Sequence, residues 1–142
     1  MFKISKLQNL HNSINKKNFN LQNELAKYRK EYDLNPEYLF LMGLFLKLEN
    51  RPYLAIDALI LSLKIDNDEI FLLKKNYEKC SDDLIKKKID LLLELFILIK
   101  NSDLVNLINK FKKNQNLEFF LKDIEEIMPG INLNNPTSSS RK

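Results

Sequence analysis

Residues 35–66 read NPEYLFLMGLFLKLENRPYLAIDALILSLKID, and the reading of this stretch decides the fold. Asn35 offers a side-chain acceptor to free amides, and Pro36 fits the first helical turn, where no amide donor is needed. Pro52 opens a second helix in the same way. The two predicted helices carry apolar residues on nearly every face, interrupted by the small residues Gly43, Ala55, Ala58 and Ser62. A helix that is apolar all round is covered on all sides, so this pair must lie inside a larger helical packing.

The rest of the chain supplies the cover. Periodicity and capping signals divide it into about eight helices: residues 5–16, 20–33, 36–50, 52–65, 68–79, 82–100, 103–113 and 116–128. Ser81 and Ser102 are the expected caps of the sixth and seventh, Asn67 or Asp66 that of the fifth, and Asn116 begins the eighth, which Pro129 and Gly130 stop. Charge placement agrees, because a helix dipole favours anions at its start and cations at its end. Glu37, Asp68, Glu69, Asp82, Asp83, Asp103 and Glu118 fall at starts, and Lys47, Lys64, Lys79, Lys100 and Lys113 at or near ends. Connections of two to four residues make sequential helices antiparallel neighbours. The expected class is therefore all-α, about four antiparallel hairpins arranged as a solenoid or as a compact bundle.

Bulk composition fits. A chain of 142 residues with 44% hydrophobic and 30% charged residues, two Gly, four Pro and no Trp is one helical domain. Residues 1–130 form that domain, and the polar stretch 131–142 is expected to be a disordered tail. Residues 89–100 contain the longest apolar run, about half of the roughly 20 residues a spanning helix needs and broken by Glu94, so no transmembrane segment is expected. A single cysteine, Cys80, and the absence of a secretory-type opening point to a reducing, cytoplasmic location.

Residues 36–69 resemble one tetratricopeptide repeat, a 34-residue helix–turn–helix unit. Leu39, Met42, Gly43 and Leu46 in the first helix, and Ala55, Leu59 and Ser62 in the second, follow the family's alternation of large and small side chains. Gly43 and Ala55 let the two backbones approach. Beyond this unit the likeness is degenerate. Asn67 stands where the family has Pro between repeats, and one repeat later Tyr77 and Ile89 replace small residues. The resemblance implies a protein-binding groove along the first helix of the hairpin, lined here by Glu37, Phe40, Leu44, Lys47 and Leu48, with Phe40 and Leu44 as plain core residues the alternative. Family members that clamp a terminal carboxylate use Lys and Asn where this chain has Phe40 and Leu44, so the implied occupant is an apolar partner or the protein's own terminal helix.

Catalytic chemistry has little to stand on. There is one histidine, His11, read as surface or half-buried, and Cys80, read as a loop thiol although a helix start lies next to it. No Gly-rich phosphate loop and no cluster with metal-ligand spacing is evident, so neither a catalytic role nor a cofactor or metal is assigned. The net charge of +4 raises a second function class. Residues 1–23 carry Lys3, Lys6, Lys16 and Lys17 and no acid, on an amphipathic pattern with Phe2, Ile4 and Leu7. The segment reads as a capping helix with a solvated lysine face, with an anionic membrane, RNA or organelle targeting as alternatives. Lys110, Lys112 and Lys113 form a second basic group, while Lys86, Lys87 and Lys88 read as a solvated helix face in which Lys86 pairs with Asp90. The leading expectation is an adaptor or assembly subunit that binds another protein, or sits within a larger or self-associated assembly. An RNA- or ribonucleoprotein-associated helical protein is the alternative.

Overall fold

The computed structural model describes residues 1–128; the expected helix stop at Pro129 and Gly130 and the tail 131–142 lie outside them. The described residues form eight α-helices and no strand: α1 (Ser5–Ser13), α2 (Leu21–Tyr28), α3 (Pro36–Leu48), α4 (Pro52–Asp66), α5 (Glu69–Lys75), α6 (Asp82–Leu98), α7 (Ser102–Asn114) and α8 (Leu117–Ile127). The helices are built largely as their caps require. Side chains of Asn20, Asn35, Asp68, Ser81, Asn101 and Asn116 each accept a backbone N–H from the first turn that follows. Two expected caps move: Asp68 caps α5 in place of Asn67 or Asp66, and Asn101 caps α7 in place of Ser102. A first-turn amide is reached best from the residue before the helix, and in both places an Asx side chain already stood there.

Three helices are shorter than expected. α1 stops at Ser13, α2 at Tyr28 and α5 at Lys75, and α5 ends because Asn76 turns left-handed (φ 57°) and closes a Schellman motif, Tyr77 N–H to the Leu72 carbonyl. The same motif ends α3 at Asn50 and α6 at Lys100. Among the described residues five that are not glycine, Leu34, Asn50, Asn76, Lys100 and Gln115, take positive φ, so the connections between these helices are made without glycine.

Gly43 serves packing instead. A Cβ placed on it would lie 2.9 Å from Leu59 Cγ and Cδ2, so α3 and α4 pack more closely there than any larger residue permits. This hairpin is the densest contact in the molecule. α5 and α6 pack on α4, α7 on α6 and α8 on α7, while α1 and α2 lean on α3. One continuous core runs through all of these except α5, whose Leu72 joins a smaller cluster with Leu39 and Ile65. Buried hydroxyls fix the arrangement: Ser62 Oγ donates to the Pro36 carbonyl (2.6 Å) and Tyr38 OH to the Leu25 carbonyl (2.7 Å), an acceptor left open in the last turn of α2. No helix among the described residues is long and apolar enough to cross a membrane.

Candidate interaction site

The groove residues expected along α3 do not share one environment. Glu37 and Phe40 are 2% and 3% exposed, Leu44 and Lys47 are half-buried, and Leu48 is open. The cover over the first two is the chain's own N-terminus. The Glu37 carboxylate accepts the backbone N–H of Lys3 (2.6 Å) and of Ile4 (3.1 Å). Ile4 stands at the cap position of α1 and has no capping side chain, so Glu37, 33 residues further on, caps that helix from outside. Over Phe40 lie the rings of Phe2 and His11, with centroids 6.1 and 6.0 Å away and 5.2 Å from one another. In this conformation Phe40 belongs to the core and Glu37 makes a structural contact, so neither presents itself to a partner.

His11 is half-buried in this aromatic group, and burial, reinforced by the positive charge of Lys87 on α6, lowers its pKa below the ordinary 6.5. Residues 1–13 therefore cover the N-terminal half of α3.

The second half is different. Lys47, near the end of α3, pairs with Glu94 on α6 (3.4 Å) and so ties the C-terminal turns of the two helices together. Beside this pair Leu48 is 67% exposed, and Ile97 and Leu98, one turn beyond Glu94, are 58% and 53% exposed. Tyr53, at the start of α4 and hence at the same end of the bundle, is also exposed. Leu48 follows Lys47 in the chain, and Ile97 and Leu98 stand three and four residues after Glu94, so exposed aliphatic side chains flank the ion pair on each helix, the composition of a protein-binding patch. Of these residues the sequence had suggested Lys47 and Leu48. Ile97 and Leu98 lie inside the longest apolar run of the sequence, and their signal is only that the run is longer than one face of α6 can absorb.

The basic candidates are partly neutralised. Lys6 pairs with Glu31 (3.5 Å), Lys110 with Asp123 (3.5 Å) and Lys112 with Asp90 (3.4 Å). Lys3, Lys16, Lys17 and Lys113 form no ion pair with a described residue. Asp90 thus serves α7 and not Lys86 on its own helix. The larger correction concerns Lys88, which is no part of a solvated face. It is fully buried, with Nζ 2.5 Å from Asp66 Oδ2 and 3.1 Å from Cys80 Sγ. Asp66 also accepts the Cys80 backbone N–H (2.9 Å). This cluster braces the end of α4 against α6 and holds the loop between α5 and α6. Burial pushes the Cys80 thiol up to about 12, against the opposing pull of Lys88, which makes it a protonated packing group. Among the described residues no group of three or more His, Cys, Asp and Glu is placed to hold a metal ion.

Comparison of the whole chain with protein-family models, with curated proteins and with solved structures finds no match in any of the three, so the functional reading rests on the residues above.

Proposed function

We propose that this protein is a non-enzymatic interaction module, an adaptor or assembly subunit whose partner is another protein, and that the partner docks at the end of the bundle formed by the C-terminal turns of α3 and α6. The observation that carries this reading is the exposure of Leu48, Ile97 and Leu98 around the Lys47–Glu94 pair. The core is complete without these side chains, so folding does not account for their chemistry. A partner that covers them removes apolar surface from water at roughly 25 cal/mol per Å² before the costs of association, while the ion pair sets orientation. The tetratricopeptide likeness of residues 36–69 is in keeping with a protein-binding role. The basic surface favours it less as a nucleic-acid site, because three of its seven candidate lysines already have carboxylate partners.

The test is affinity purification of the tagged protein from its host, with and without nuclease, alongside Leu48→Glu and Leu98→Glu forms of unchanged helicity. Proteins recovered with the parent after nuclease and lost from both variants support the patch. Recovery that collapses with nuclease, or that both variants retain, overturns it.

A further inference from the structure

The structure assigns a second recognition site, at Glu37 and Phe40, that takes the first turn of an amphipathic helix led by an aromatic residue, and residues 1–13 are the internal ligand that occupies it. Most buried carboxylates are matched by cationic side chains. Glu37 is matched by two backbone amides, those of Lys3 and Ile4, which any helix start can offer. Phe2 then lies on Phe40, and the remaining link at this end is Ser81 Oγ donating to the Met1 carbonyl at 2.8 Å. Each of these contacts reads backbone or an aromatic ring, and the arm adds Lys6 paired with Glu31 (3.5 Å) and the buried Leu7 and Leu10, so a foreign helix that carries the same basic and apolar pattern makes them equally well.

The occupant is built to leave. α1 has nine residues, short of the 12–15 at which an isolated helix becomes even marginal in water, and its cap is supplied by another segment. The connection from Ile14 to Asn20 carries no helix and leaves the arm tethered when it opens. Nor does opening strand a charge. Glu37 lies in the first turn of α3, where the helix dipole favours an anion, so the carboxylate is comfortable facing either the arm or water. The cost of opening falls on apolar surface, on Phe40 and on Leu7 and Leu10 of the arm, which are buried when it is closed. A partner helix that covers Phe40 restores the first part of that loss. The site is separate from the exposed patch around Leu48, and its test does not depend on that patch.

A labelled peptide of residues 1–17 serves as the probe, titrated into the full-length chain. Phe2→Ala in the chain weakens the internal arm without altering the site, and the peptide is expected to bind that variant at least tenfold more tightly than the parent. Adding Glu37→Leu, which removes the acceptor for the two amides, is expected to reverse the gain. A dimer formed by exchange of arms between two copies, seen as doubled mass of the Phe2→Ala chain, also supports the site, since the same groove then takes an arm from outside. Equal peptide binding by parent and Phe2→Ala chains, no binding by either, or binding unaffected by Glu37→Leu overturns the assignment. So does amide exchange in which α1 opens only together with α4.

Discussion

Replacement of Lys88 by Met tests the central brace of the fold. The side chain keeps its length and loses its charge, leaving Asp66 buried with the Cys80 amide as its remaining donor. Removing one member of a buried, hydrogen-bonded ion pair costs about 3–5 kcal/mol, most of it the penalty of the charge left behind. Total stability for a domain of this size is about 5–15 kcal/mol, so Lys88→Met is expected to lower Tm by roughly 10–20 °C. The penalty arises from the orphaned carboxylate, so the double variant Lys88→Met, Asp66→Asn is expected to recover at least half of it; the amide oxygen still accepts from Cys80. Urea unfolding of the four proteins of the cycle, followed by far-ultraviolet circular dichroism, gives the coupling directly. If Lys88→Met falls within about 1 kcal/mol of the parent, the pair is not closed in solution and the bracing role is refuted.

Four further outcomes follow from the same geometry. Phe40→Ala is expected to cost about 3–5 kcal/mol in urea unfolding, as a core aromatic does, and a loss below 1 kcal/mol would place the ring on an open surface. Stability is expected to fall in mild acid through His11. Its folded pKa is held below the unfolded value of about 6.5, so the unfolded chain binds the proton first; stability is whole above pH 6.5, declines as pH drops toward the folded-state value and then levels off. His11→Gln should flatten that part of the parent's profile, and parallel profiles would contradict it. Lys100→Gly relieves a left-handed residue (φ 59°) at the end of α6 and should raise stability by about 0.5–1 kcal/mol, read as a higher Tm. Cys80, buried and protonated, should resist Ellman's reagent in native buffer and react fully in guanidinium; fast native labelling would show that the loop between α5 and α6 is open.

Local chemistry was legible along the chain because it acts over a few residues. An Asn or Ser before a first turn, a proline inside it and an acid beside it report on free amides at hand, and six of the eight helices start behind an Asn, Asp or Ser side chain that caps them. Gly43 was legible too, since a lone glycine among large apolar residues marks a close approach, and Leu59 fills that space. The candidate site was legible only in part. Lys47 and Leu48 stood on the right helix, but the exposure of Ile97 and Leu98 depends on which faces of α6 are used by α4 and α7.

Lys88 shows the limit most clearly. It lies four residues after Leu84 and four before Leu92, on the buried stripe of α6, yet beside Lys86 and Lys87 it resembled one more solvated cation. Whether a long amine reaches water or is turned inward depends on a carboxylate 22 residues away, and nothing local announces Asp66 as its partner. The burial of Glu37 is of the same kind, because only folding brings the amides of Lys3 and Ile4 to it. Caps, dipoles and periodicity act within one or two turns, so the sequence by itself determined the helices and their apolar faces. Partner choice among buried charges and the division of apolar faces into core and open surface depend on contacts far apart along the chain, and only the tertiary structure decided them.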